Sequence, residues 1–127
     1  MTSEELKSQP YINLETYRRS GAGVRTPVWF IADGEKLYVR TLANSGKVKR
    51  IRNNGSVNIA PCKVDGALLG DWQTAYAREV KDIEIARKVD RMLDRKYGLM
   101  KKLFGLAAAI QRRQYTVLEI RLAGQNE

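Results

Sequence analysis

The sequence predicts a mainly β protein, a small antiparallel barrel of six strands with helical excursions. Three observations carry this. Short segments alternate apolar and polar residues with the two-residue period of half-buried strands. Tight-turn pairs separate several of them, Asp33-Gly34 and Asp65-Gly66 among them. The Asp33-Gly34 pair joins its two strands as a hairpin, which argues against a βαβ unit in the first half and for edges closed as a barrel.

Thr2 to Lys7 reads as a short helix ended by Pro10. Tyr11 to Arg18 alternates as a first strand, closed by the turn Ser20-Gly21-Ala22-Gly23. Val24 to Ala32 is rich in β-branched and aromatic residues and forms the second. Pro27 removes a ladder donor from it, so this strand is bulged or lies beside something other than a strand. Trp29 and Phe30 then read either as core or as an aromatic wall against a flat ring. After Asp33-Gly34, Lys36 to Thr41 returns antiparallel.

Leu37 to Val57 is the most informative stretch. Arg40 to Arg52 holds five basic residues and no acidic one. Asn44 or Ser45 caps a short helix that ends at Asn53-Asn54-Gly55. Helix first turns normally collect Asp and Glu, yet Lys47 and Lys49 stand here against the macrodipole. Free N–H groups, a hydroxyl and lysines at a helix start suit a phosphate. A solvated basic turn fits the same residues. A P-loop does not, because Thr41 replaces its first Gly and Val48 its Ser or Thr. Gly21-Ala22-Gly23 likewise misses the third Gly of the dinucleotide fingerprint, and a strand follows it.

Ser56 to Pro61 is the fourth strand, and Leu68 to Val80, bent near Gly70, the fifth. Ile83 to Tyr97 is an amphipathic helix whose apolar face carries Ile85, Ala86, Val89, Met92, Leu93 and Tyr97. Gly98 ends it. A further helix runs from Leu99 to about Ala109, and Tyr115 to Leu122 is the sixth strand.

The 127 residues suit one domain, 1–127. No apolar run approaches the ~20 residues that span a bilayer. The first residues lack the pattern of a signal peptide, so a cytoplasmic protein is expected. A net charge of +9 suggests an anionic partner. Cys62 is the sole cysteine and there is no histidine, so an internal disulfide, a multi-cysteine metal site and Ser-His or Cys-His catalysis are excluded. Cys62 reads as a small buried filler. Catalysis must rely on a cofactor or on carboxylates, Tyr, Lys and Arg. Tyr17, Tyr38 and Tyr76 are candidate proton donors that also fit as packing residues, and no catalytic residue is assigned.

Thr26-Pro27-Val28-Trp29-Phe30, Tyr38-Val39-Arg40-Thr41 and Ser45-Gly46-Lys47-Val48-Lys49-Arg50-Ile51-Arg52 together resemble the pyridoxamine 5′-phosphate oxidase-like flavin-binding split-barrel superfamily. The match is closest to its small members assigned to the deazaflavin coenzyme F420. Val57-Asn58-Ile59-Ala60-Pro61-Cys62, Gly70-Asp71-Trp72 and Arg95-Lys96-Tyr97-Gly98-Leu99 extend it over nearly the whole chain.

The resemblance implies a six-stranded antiparallel split barrel that forms a homodimer, with one cofactor, coenzyme F420 or FMN, in each of two grooves at the subunit interface. Thr26, Pro27, Val28 and Trp29 would line the ring system. Arg40, Thr41, Ser45 and Lys47, with Gly46 between the last two, would hold the ribityl phosphate. Lys49 and Arg50 would meet further anionic groups. The C-terminal Arg- and His-bearing segment of true pyridoxamine-phosphate oxidases is lacking, which speaks against that substrate.

The implied activity is a flavin- or deazaflavin-dependent oxidoreductase that passes a hydride to a small planar or unsaturated substrate. A histidine-free chain suits this, because the cofactor carries the chemistry and the protein orients it. One competing reading is a single-stranded nucleic-acid-binding barrel with Trp29, Phe30 and Tyr38 as stacking platforms. Another is a cofactor carrier or sensor without turnover.

Overall fold

The computed structural model describes residues 6–98 and 114–123. Its strands are β1 (Ile12–Tyr17), β2 (Gly23–Val28), β3 (Ile31–Asp33), β4 (Lys36–Leu42), β5 (Ser56–Pro61), β6 (Gln73–Val80) and β7 (Tyr115–Leu122). Two helices, α1 (Gly46–Asn53) and α2 (Ile83–Tyr97), interrupt them. Leu6 and Lys7 are helical, while the rest of the predicted first helix falls largely outside the described residues, and the one from Leu99 wholly so.

All seven strands form one antiparallel sheet in the order β2-β1-β5-β6-β7-β4-β3. Laid flat, its outer strands would stand about 29 Å apart at the usual inter-strand spacing. Yet β2 and β3 occupy opposite edges and only Trp29 and Phe30 separate them, a link that reaches about 10 Å at most. The sheet must curl until its two edges nearly meet. This is the split barrel.

The crossing explains the one difference in strand number. The predicted strand from Val24 to Ala32 is two strands, because the main chain of Phe30 bonds to α2 instead of to a strand. Its N–H donates to the Tyr97 hydroxyl (3.0 Å) and its carbonyl accepts from Lys96 Nζ (2.9 Å). Pro27 sits on β2, an edge strand, where a missing N–H is tolerated. The fifth predicted strand begins only at Gln73, and Leu68 makes a single bridge to Cys62.

Inside the curl, Ile12, Leu14, Val39, Val57, Ile59, Leu118 and Ile120 are buried together with Phe30. Full burial of such side chains contributes roughly 1.5–3 kcal/mol each. Val48 and Ile51 of α1 join this core, so the basic helix packs against the barrel interior. On the outer face, Ile31, Tyr38 and Val117 pack under Val89, Leu93 and Tyr97 of α2. The side chain of Asp82 caps α2 by accepting from Glu84 N–H (2.8 Å) and Ile85 N–H (3.4 Å). Gly98, at φ 49°, ends it in the left-handed region that glycine favours.

Candidate cofactor site

Helix α1 presents three cations to polar groups on the inward faces of three strands. Lys47 Nζ donates to Thr41 Oγ1 on β4 (3.3 Å), and Arg50 Nε donates to Thr16 Oγ1 on β1 (2.7 Å). Arg52 grips the Glu79 carboxylate on β6 through Nε (2.8 Å) and a terminal nitrogen (3.0 Å). Thr116 Oγ1 donates to the same carboxylate (2.7 Å). The Arg52 pair holds the Glu79 carboxyl below its usual range, with Thr116 adding to the effect and burial opposing it.

These contacts divide the basic cluster. Arg50 and Arg52 are bonded within the fold, and Lys49 is exposed with no ion pair among the described residues. Lys47 is half-buried, and its ammonium meets only a neutral hydroxyl. Burial, helped by the nearby Arg50 charge, lowers its pKa. A half-buried cation without a carboxylate has an uncompensated desolvation cost that an anion relieves.

The start of α1 adds a second unmet group. Ser45 is the N-cap residue, yet its side chain makes no capping bond, and its buried Oγ has no hydrogen-bond partner. Neither Asp nor Glu stands in the first turn. Gly46 is exposed beside them, and a Cβ there would meet the Arg50 guanidinium at 2.7 Å. Thr41, Ser45, Gly46 and Lys47 therefore form one locus at the end of the barrel. A phosphate fits this donor set: one ammonium, a hydroxyl without a partner and the N–H groups of a helix start.

Arg40 lies elsewhere. Neighbours along a strand face opposite sides. Thr41 shares the inward face with Leu37 and Val39, whereas Arg40 shares the outer face with Tyr38. There its guanidinium pairs with Asp90 on α2 and lies 4.3 Å over the Tyr115 ring.

Of the predicted ring-lining residues, Val28 packs against the core and Thr26 shares its face. Pro27 is on the opposite face, beside Asn13 and Gly66. Trp29 stacks on Tyr97, with ring centroids 4.4 Å apart and planes 9° from parallel. Sequence reasoning did not foresee how α2 holds this segment. The Tyr97 hydroxyl accepts from Phe30 N–H and shares its proton between the carbonyls of Pro10 (2.8 Å) and Phe30 (2.9 Å). Lys96 Nζ lies 3.6 Å over the Phe30 ring. A polar Tyr on the last turn of an otherwise apolar helix face was the only signal available.

Of the stacking platforms of the nucleic-acid reading, two are withdrawn from solvent and the third is engaged within the fold. Phe30 and Tyr38 are buried and Trp29 is stacked. No helix among the described residues is long and apolar enough to cross a membrane.

No protein-family model and no curated protein matches the chain by sequence. Solved structures do match in shape. A pyridoxamine 5′-phosphate oxidase-like protein of Listeria innocua superposes with a TM-score of 0.68 at 13% identity, covering 95% of this chain and 90% of that one. An F420 reductase gives 0.62 at 20%, covering 95% and 93%. The heme storage protein HutZ of Vibrio cholerae gives 0.72 at 15%, covering 94% and 87%. At such identities the likeness establishes the fold alone: this chain is a split barrel like those of these three proteins.

Proposed function

We propose that this split barrel binds a flavin-type cofactor, FMN or coenzyme F420, and acts as an oxidoreductase on a small planar or unsaturated substrate. The observation that carries the reading is the Lys47 ammonium, half-buried and bonded only to the Thr41 hydroxyl, beside the partnerless Ser45 hydroxyl. Lys47, Thr41, Ser45 and the N–H groups after Gly46 would hold the cofactor's phosphate. The segment Thr26–Trp29, fixed by Tyr97 and Lys96, would lie along the ring. Arg40 would contribute from the outer face only by leaving Asp90.

A bound flavin or deazaflavin supplies the hydride chemistry. The protein's part is to hold, orient and exclude water. In this reading the chain forms a homodimer whose second copy would complete the groove. The neighbours do not choose the activity, because an F420 reductase and a heme storage protein share the fold.

The test is a titration of the purified chain with FMN and with F420, followed by absorbance and fluorescence. Saturable binding of one of them, weakened about tenfold or more in Lys47→Ala without loss of Tm, is the expected result. Equal affinity in the variant refutes the phosphate site. Oxidation of the reduced cofactor by an added acceptor then separates an enzyme from a carrier.

A further inference from the structure

One groove in the described residues lies apart from the locus of Lys47. It has a volume of about 490 Å3 and runs between the N-terminal half of α2, the end of β6 and the start of β7. Arg40 is the only residue it shares with the predicted cofactor contacts. Its size is that of a small-molecule site.

The lining is chemically divided. Val80, Val117 and Ala86 supply an apolar floor, with exposed Ile83 at the mouth and the Tyr115 ring as one wall. Arg40, Arg52 and Lys81 stand around it. Two of these cations are matched by carboxylates, Arg40 by Asp90 and Arg52 by Glu79. Lys81 has no ion pair among the described residues, so one positive charge is left over. Both arginines also keep unused N–H donors, since each guanidinium has five.

The geometry points to a binding site for a small aromatic monoanion, a one- or two-ring carboxylate or sulfonate. Its ring would lie on Ile83, Ala86 and Val117 against Tyr115, and its anionic group would meet Lys81 and the free guanidinium N–H donors. One net charge favours a monoanion over a phosphate-rich ligand, and the apolar floor favours a ring over a free ion. The inference shares only Arg40 with the cofactor reading and uses none of Thr41, Ser45 and Lys47.

The probe is 1-anilinonaphthalene-8-sulfonate, titrated into the full chain by fluorescence and mapped by amide chemical shifts. Saturable binding with shifts confined to Arg40, residues 79–86 and 114–117 is expected. Lys81→Glu and Ile83→Asp alter exposed side chains and should fold, and each should weaken binding about tenfold. Lys47→Ala should bind the probe as the unsubstituted chain does, even where it loses the cofactor. Dispersed shifts, no saturation or full affinity in both groove variants overturns the site. Displacement of the probe by FMN or F420 also overturns it, by making the groove part of the cofactor site. A dimer that falls apart in Ile83→Asp assigns the groove to a second copy instead.

Discussion

The Tyr97 hydroxyl and the Phe30 amide, 67 positions apart, lie 3.0 Å from each other at the point where the two edges of the sheet meet. Tyr97 also reaches the Pro10 and Phe30 carbonyls, and burial pushes its phenol up to about 12. It therefore remains a neutral hydroxyl at any physiological pH. One side chain satisfies main-chain groups from two segments that have no strand to pair with.

Tyr97→Phe keeps the ring stacked on Trp29 and deletes only the hydroxyl. The buried Phe30 N–H then loses its partner, while the Phe30 carbonyl keeps Lys96 Nζ, at a cost of about 1–3 kcal/mol. Urea denaturation should show the midpoint falling with an unchanged slope. A midpoint equal to that of the unsubstituted chain would mean that water replaces the hydroxyl there.

Burial lowers the Lys96 amine to about 8 from its ordinary 10.5. Between those values the unfolded chain binds more protons than the folded one, so this group's contribution to stability rises with pH from about 8 to 10.5. Lys96→Met removes that dependence. The stability of the unsubstituted chain relative to Lys96→Met should therefore improve across this interval, as read by chemical denaturation at several pH values. A constant difference would show that Lys96 titrates as an ordinary surface lysine.

Glu119 is buried on the outer face of β7 beneath Arg78 Nε (3.2 Å), Arg121 Nε (3.0 Å) and Lys36 Nζ (3.9 Å). Burial alone would raise its pKa, but the arginine hydrogen bonds prevail and hold it below 4.5. Its stabilisation is present above the unfolded value and disappears as pH falls through the folded one. Glu119→Gln should lose about 1–3 kcal/mol at pH 7 and match the unsubstituted chain near the acid limit. The three cations are partly exposed, which keeps the expected loss toward the lower end.

Lys49 tests which cofactor is held. Arg52 is held by Glu79 and Arg50 is bonded to Thr16, so of the α1 cations beyond Lys47, Lys49 is the one whose side chain has no bonded partner among the described residues. Lys49→Ala should weaken F420 binding severalfold, with a shallower salt dependence, and leave FMN binding unchanged. An equal loss for both ligands would place Lys49 at the phosphate they share.

Much of the fold could be read from the chain. The alternation in Ile12–Tyr17 and Tyr115–Leu122, and the helical spacing of Ile85, Val89 and Leu93, coincide with β1, β7 and α2. The Pro27 argument placed β2 beside a missing neighbour, and it is an edge strand. The start of α1 was legible as a cluster of donors at Ser45, Gly46 and Lys47. That Arg40 and Thr41 face opposite ways also follows from strand periodicity, which the grouping of the two as one phosphate contact passed over. The break at Trp29-Phe30 could not be read locally, because both residues are good strand formers and the competing partner is on α2.

By itself the sequence determined most of the strands, the two described helices, the turns and the position of the basic cluster, because these depend on periodicity and on the conformational limits of single residues. Only the tertiary structure decided which cations of that cluster have partners. Arg52 finds the Glu79 carboxylate across the end of the barrel, whereas Arg50 and Lys47 each find only a threonine hydroxyl, Thr16 and Thr41. Such pairing depends on distances between strands far apart in sequence, and those distances exist only once the sheet has curled.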